Sequence, residues 1–216
     1  MRLRSVTSRM TPISKRVIAT GNAKKLKEFE RLLAPLGIEV IAQSAFNVPE
    51  APEPHCTFLE NALAKARNAA RHTGLPSLAD DSGICVHALN GHPGVNSAYY
   101  AGLQKSDADN NAKLIADLRG VSDRRAHFTA VLALVFQEND PEPIIAEGRW
   151  YGQILEAPRG HDDFGYNPLF LDVELGLSGA EIPLENKGAR SHRGKALTKL
   201  LVELEQRYGV SHASRT

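Results

Sequence analysis

A chain of 216 residues, 42% hydrophobic and 24% charged, has an ordinary globular makeup and enough length for one substantial core. Its 26 basic and 25 acidic residues leave a formal net charge of +1, without the global field expected of a nucleic-acid or membrane-surface binder, and no apolar run approaches the roughly 20 residues of a membrane span. Cys56 and Cys85 stand in no CxxC or His-rich frame, so a structural zinc site is not expected; both read as small, partly buried residues in a reducing, cytoplasmic compartment.

Residues 1–14 contain no acid and are rich in Arg and Ser, like a transit peptide, but Pro12 interrupts them and they lack an amphipathic pattern. They read as a disordered tail, with Met10 as an alternative start; 209–216 reads as a second tail, and 15–208 as one domain. KRVIAT (15–20) predicts a strand, followed by a turn into an amphipathic helix with Leu26, Phe29, Leu32 and Leu33 on one face and Gly37 as its stop. IEVIA (38–42) is a second strand, so the chain opens strand–helix–strand, as α/β sheets do. NVPEAPEPH (47–55) is a proline-rich loop. Thr57 and Glu60 then form a capping box on a helix that runs to Thr73 and ends at Gly74. SLADD and ICVHAL read as strands on either side of a turn. A loop follows (90–102), then a helix over DADNNAKLIADLRG. RRAHFTAVLALVFQ (124–137) is apolar on both faces, as a central strand is, and IIAEGRWYGQIL (144–155) pairs with it as a hairpin. APRGHDDFGYNPLF is loop, and the chain closes on a helix over 193–208.

Five stretches carry candidate chemistry. TGNAKK (20–25) joins a strand to a helix, where free backbone N–H groups, Thr20, Gly21, Asn22, Ala23 and the lysines Lys24 and Lys25 form either a phosphate cradle or a plain capped helix. Asp80 and Asp81 end an apolar strand. Adjacent strand residues face opposite ways, so one can face a cleft, bind Mg²⁺ or orient water while the other braces the turn; a simple Asp-Ser-Gly turn is the rival reading. Glu50 and Glu53, in a loop stiffened by prolines, are either metal ligands or a solvated acidic loop. In FGYNP, Phe164 can stack on a base and Gly165 permits close backbone approach, unless the turn merely plugs a core. Lys187, Arg190, His192, Arg193 and Lys195 crowd ahead of the last helix, with Ser191 as its cap; they suit phosphates and a purine carbonyl edge, or form a basic surface face.

Taken in order, ATGNAKKLKEF, TFLENALAKAR, LADDSGICVHALNGHPGVNSAYYAG, DDFGYNPLF and SHRGKAL resemble the inosine/xanthosine triphosphate pyrophosphatase family, from about Val17 to about Tyr208. The resemblance implies an elongated α/β fold, with a long mixed sheet flanked by helices and a cleft between two lobes. It implies a homodimer that hydrolyses ITP, dITP and XTP to the monophosphate and pyrophosphate with Mg²⁺. It implies that the 20–25 turn holds the triphosphate, that Asp81 is general base and Mg²⁺ ligand with Asp80 beside it, and that Lys25 and Lys65 reach the phosphates. Glu53 is then the second metal-linked carboxylate, with Glu50 its rival. Ser82 touches substrate, Phe164, Gly165, Tyr166 and Asn167 enclose the base, and Lys187, His192 and Arg193 complete the contacts. The family usually has Asp where this chain has Asn167, which puts base selectivity in question.

Overall fold

The computed structural model describes residues 15–18, 23–34, 38–161 and 164–208, without the side chains of 15–18, 23, 24, 32 and 208. The tails, the turn residues Thr20, Gly21 and Asn22, the helix stop Gly37, and the side chains of Ala23, Lys24 and Leu32 therefore lie outside the described residues. The strands are β1 (Lys15–Ile18), β2 (Glu39–Ala42), β3 (Ser77–Val86), β4 (Arg125–Val135), β5 (Ile144–Ile154), β6 (Phe170–Asp172) and β7 (Leu177–Ser178). They form one mixed sheet in the order β2-β1-β3-β4-β5-β6-β7. β1 runs parallel to β2 and to the start of β3; from β3 on, neighbours are antiparallel. The expected α/β architecture is thus present, with a short parallel end joined to a longer antiparallel stretch.

The helices are α1 (Ala23–Leu33), α2 (Phe58–Thr73), α3 (Asp107–Asp117), α4 (Leu184–Arg190) and α5 (His192–Tyr208). α2 begins where the sequence places it: Thr57 accepts the Glu60 N–H at 3.2 Å, and Gly74 ends the helix with φ +66°. Its buried alanines, Ala62, Ala66, Ala69 and Ala70, recur at helical spacing and meet Ala79, Val131 and Ala133 on one sheet face. Side chains this short let α2 lie close against the strands. On the opposite face, Phe29 and Leu33 of α1 and Ala196, Leu197, Leu200 and Leu204 of α5 pack on Leu78, Leu132 and Leu134. Gly148 belongs to that packing, since a Cβ there would fall 2.0 Å from the His192 carbonyl oxygen. Farther along this face, Leu114 of α3 and Leu118 just after it join Ile84, Phe128, Trp150, Phe170 and Ile182 in a second core.

Three expectations need correction. No turn separates SLADD from ICV: β3 runs unbroken from Ser77 to Val86, in register with β4 from Ser77 opposite Val135 to Val86 opposite Ala126. Ten ladder pairs outweigh the turn preference of Asp-Ser-Gly. Gly83 is required for close approach, because a Cβ there would lie 2.3 Å from the Gly94 carbonyl oxygen. Asp80 and Asp81 therefore sit within the strand. Second, Cys56 is exposed rather than partly buried, since it lies in the bend before α2; Cys85 is half-buried. Third, a short helix, α4, precedes the final one; its seven residues are too few to reveal a period.

Candidate active site

Among the described residues, β1 pairs with β3 at Ser77 and Leu78 only. Beyond that point, β3 has no strand on its outer side among the described residues. A 3₁₀ helix, Gly94–Tyr99, covers the edge from Ile84 on, where Ser97 Oγ accepts the Ile84 N–H at 2.9 Å. The open stretch holds Asp80, Asp81 and Ser82. It is also a topological switch point: from β1 the chain crosses to β2 through α1 on one face, and returns to β3 through α2 on the other. Open α/β sheets bind ligands at such points, outside the carboxyl ends of the parallel strands.

Strand alternation sends the two carboxylates to opposite faces. Asp80 points toward α1 and α5. Its Oδ2 lies 2.7 Å from Lys25 Nζ and 3.3 Å from Arg193 Nε, and accepts the Ser82 hydroxyl at 3.1 Å. Arg193 also grips Glu28 at 2.6 Å and Ser82 Oγ at 2.9 Å. Burial alone would push the Asp80 carboxyl up, but Lys25 and Arg193 outweigh it and hold the group well below the usual carboxylate range. Burial likewise lowers Lys25.

Asp81 points toward α2. Its Oδ1 lies 2.7 Å from Lys65 Nζ, and its Oδ2 accepts from Asn61 Nδ2 at 3.3 Å. Asn61 and Lys65 stand one turn apart on the same helix face. Lys65 also meets Glu53 at 3.0 Å, so two carboxylates converge on one ammonium. Burial outweighs that ammonium at Asp81 and raises its pKa to about 6. Glu53 responds the other way: it is less buried than Asp81, and Lys65 carries it below its ordinary value against the burial that opposes it. The structure brings Glu53, not Glu50, to Lys65 and Asp81.

On the Asp80 face opens a cavity of about 710 Å³. Lys25, Ser82, Lys187, His192 and Arg193 line one part of it, and Phe164, Gly165, Tyr166 and Asn167 another. Phe128 and Trp150 of β4 and β5 add aromatic surface. His192 stacks on Phe128 with ring centroids 4.9 Å apart, and its Nδ1 is buried without a hydrogen-bond partner among the described residues. Burial, then Arg193, push His192 well below its ordinary pKa, so its ring is neutral at physiological pH. Ser191 caps α5 by accepting the Gly194 N–H at 3.1 Å, as its sequence position predicts. Asp81, Lys65 and Glu53 are not part of the cavity lining; they occupy the other side of β3.

The sequence reading did not single out Glu28, Asn61, Ser97, Asp107, Phe128 or Trp150. Asn61 was accessible, four residues ahead of Lys65 on a capped helix. Glu28 was not, because only the fold carries it to Arg193, 165 residues away.

An α/β sheet with a switch-point carboxylate pair, paired lysines and an aromatic cavity defines a protein built to hold an anionic ligand that carries a ring. The chain belongs to the Ham1 family, whose model matches residues 16–203. It is 59% identical over 188 residues to the dITP/XTP pyrophosphatase of Aromatoleum aromaticum, covering 87% of this chain and 95% of that protein. It is 56% identical over 191 residues to the protein of the same name from Ralstonia nicotianae, covering 87% and 95%. Among solved structures it resembles a HAM1 protein from Coxiella burnetii, with a TM-score of 0.83 and 45% identity over 89% of this chain and 98% of that one. The Ham1 protein of Staphylococcus aureus matches with a TM-score of 0.80 and 37% identity, again over 89% and 98%.

Proposed function

We propose that the protein hydrolyses the α–β anhydride bond of non-standard purine nucleoside triphosphates (ITP, dITP and XTP), with water as nucleophile and the nucleoside monophosphate and pyrophosphate as products. The observation that carries this reading is the split carboxylate pair: Asp80 neutralised beneath an aromatic cavity, Asp81 beside Lys65 with a pKa near 6. A carboxyl of that pKa suits a general base at neutral pH. The relatives named dITP/XTP pyrophosphatase supply the substrate class.

In this reading the purine enters the cavity, where Phe164 to Asn167, Lys187 and His192 surround it. A neutral His192 with an unpartnered ring nitrogen suits a 6-oxo purine, whose carbonyl accepts where adenine's amino group donates. Among the described residues Arg193 meets Asp80, Glu28 and Ser82, and so acts as a bracket between α1, α5 and β3. The triphosphate runs along the open edge of β3, held by Thr20, Gly21, Asn22, Ala23, Lys24, Lys25 and Ser82. Asp81 accepts the proton of the attacking water, and Lys65 offsets charge on the departing pyrophosphate.

Mg²⁺ fits the donor set. Asp81 and Glu53 converge on one point, now met by the Lys65 ammonium, and hard carboxylate oxygens suit this ion. Among the described residues no three His, Cys, Asp or Glu side chains form a metal cluster, which suits an ion that takes its remaining ligands from phosphates and water. Bound there, it would neutralise phosphate charge. We read 15–208 as one two-lobed catalytic domain acting as a homodimer in the cytoplasm; the single seven-stranded sheet supports one domain. No helix among the described residues is long and apolar enough to cross a membrane. The test is product analysis after incubation with equimolar ITP, XTP, ATP and GTP and Mg²⁺. Pyrophosphate from ITP and XTP, with ATP nearly inert, is expected; orthophosphate alone, or equal turnover of ATP, overturns the proposal.

A further inference from the structure

The turn that lines the cavity is held by a helix that does not belong to the base-enclosing motif, though its Asp107 reaches the cavity lining as well. From the first turn of α3, Asp107 Oδ2 accepts the Gly165 N–H at 2.9 Å. One helical turn on, Asn111 Nδ2 donates to the Gly165 carbonyl at 2.8 Å. Both backbone groups of a single residue are therefore taken by one face of one helix, across 58 and 54 residues of sequence. Gly165 has φ +57°, so this grip fixes a backbone state open to few other residues. The next residue is pinned separately: the Tyr166 hydroxyl donates to the Ser97 carbonyl at 2.7 Å in a buried contact. Ser97 in turn holds the Ile84 N–H of β3. Phe164, on the near side of the grip, and Asn167, on the far side, both line the cavity.

We propose that Asp107 and Asn111 are positioning residues that set where Phe164 and Asn167 stand against the purine, and so set affinity for the base without taking part in bond cleavage. This rests on the purine-triphosphate reading above. The geometry favours it over a merely structural role. The first turn of α3 already has its own cap, since Ser106 accepts the Asp109 N–H, so Asp107 is not needed to start the helix. The hydrogen bond from Gly165 to a carboxylate is charge-assisted and belongs to the stronger class.

The experiment compares Asp107→Ala, Asp107→Asn and Asn111→Ala with the wild type by two readouts. The first is hydrogen exchange at the Gly165 amide, resolved by NMR. The second is kcat and KM for pyrophosphate release from ITP. Exchange at Gly165 should speed up by about tenfold or more in Asp107→Ala, as for loss of one charge-assisted bond. KM should rise by about tenfold with kcat within about twofold, the signature of lost ground-state and transition-state binding together. Asn111→Ala should move both readouts in the same direction, and Asp107→Asn, which keeps an acceptor oxygen, should restore most of the wild-type behaviour. Unchanged Gly165 exchange in both alanine variants overturns the grip. Faster exchange with unchanged KM, or a fall in kcat with KM constant, overturns the role in base affinity. Wild-type protein that releases no pyrophosphate from ITP sinks the functional reading instead, while Gly165 exchange still decides the grip.

Discussion

Two aspartates adjacent in sequence live in opposite electrostatic worlds. Asp80 is sealed between a lysine and an arginine on the face covered by α1 and α5, and its carboxyl is held far below the usual range. Asp81 has one lysine and an amide for company on the α2 face, and burial lifts it to about 6. Strand alternation alone produces the separation. The difference teaches that a strand can place an inert structural anion and a titratable one a single residue apart. The repulsion between them is relieved because each meets its own cation across the sheet. If that division holds, damage to Asp81 should strike catalysis, and damage to Asp80 should strike stability.

The largest expected effect tests the first half. Asp81→Asn keeps size and hydrogen-bonding capacity but cannot take a proton, so kcat for ITP should fall by roughly a thousandfold or more, within the 10²–10⁴ range of general-base loss. Its urea midpoint should stay close to the wild type, since the change removes a buried charge along with its partner's attraction. An active Asp81→Asn enzyme would move the base elsewhere. The reverse pattern is expected of Asp80→Asn: with the anion gone, the Lys25 and Arg193 charges are left in a buried site. Breaking a buried pair of this kind costs about 3 kcal/mol, read as a lower urea midpoint at constant m-value.

Titration sharpens the contrast. The Asp80 carboxyl is lowered in the fold, so its stabilisation is complete above the ordinary aspartate value of about 4 and is lost as pH falls through the folded value. The Asp81 carboxyl is raised to about 6, so the stability it contributes is full below about 4 and is lost as pH rises through 6. Of the two, only Asp81 changes charge between those limits. Its own share of the folding stability should therefore fall across pH 4 to 6, so the stability of the wild type relative to Asp81→Asn should decline as pH rises through that window. In the same window kcat/KM should climb, by about tenfold per unit below pH 6, because the base works only when ionised. A flat rate profile between pH 5 and 7 would separate the titrating group from the chemistry.

Legibility in the sequence followed how local each interaction was. α2 could be read to the residue, because Thr57, Glu60 and Gly74 act within one turn of the helix ends they define. The β4–β5 hairpin announced itself by its β-rich runs. The middle of β3 did not: Asp-Ser-Gly carries turn chemistry, and what straightens it is the β4 ladder together with Lys25 and Arg193, the latter 113 residues away. The grouping of Asp81, Lys65 and Glu53 was expected only through the family resemblance, which favoured Glu53 with Glu50 as its rival, and the fold brings Glu53 to Lys65. That Asp80 and Asp81 face opposite ways was legible from strand alternation; which of them faces the cavity was not, because that depends on helices brought to each face from distant parts of the chain.

The smallest effect probes how tightly the Asp81 side depends on its helix. Thr57 caps α2 four residues ahead of Asn61, which holds Asp81, and eight ahead of Lys65. Thr57→Ala should cost about 1 kcal/mol through the lost cap. The alanine packing of α2 on β3 and β4 lies C-terminal to the first turn, so fraying should stop before Lys65. Activity at 25 °C should then stay within about twofold of wild type, with the acid limb of kcat/KM still near pH 6. A shift of that limb toward lower pH would mean that the frayed turn admits water to Asp81. The raised pKa would then belong to the cap as much as to the strand, and the two faces of β3 would differ by how well each is sealed rather than by which cations they hold.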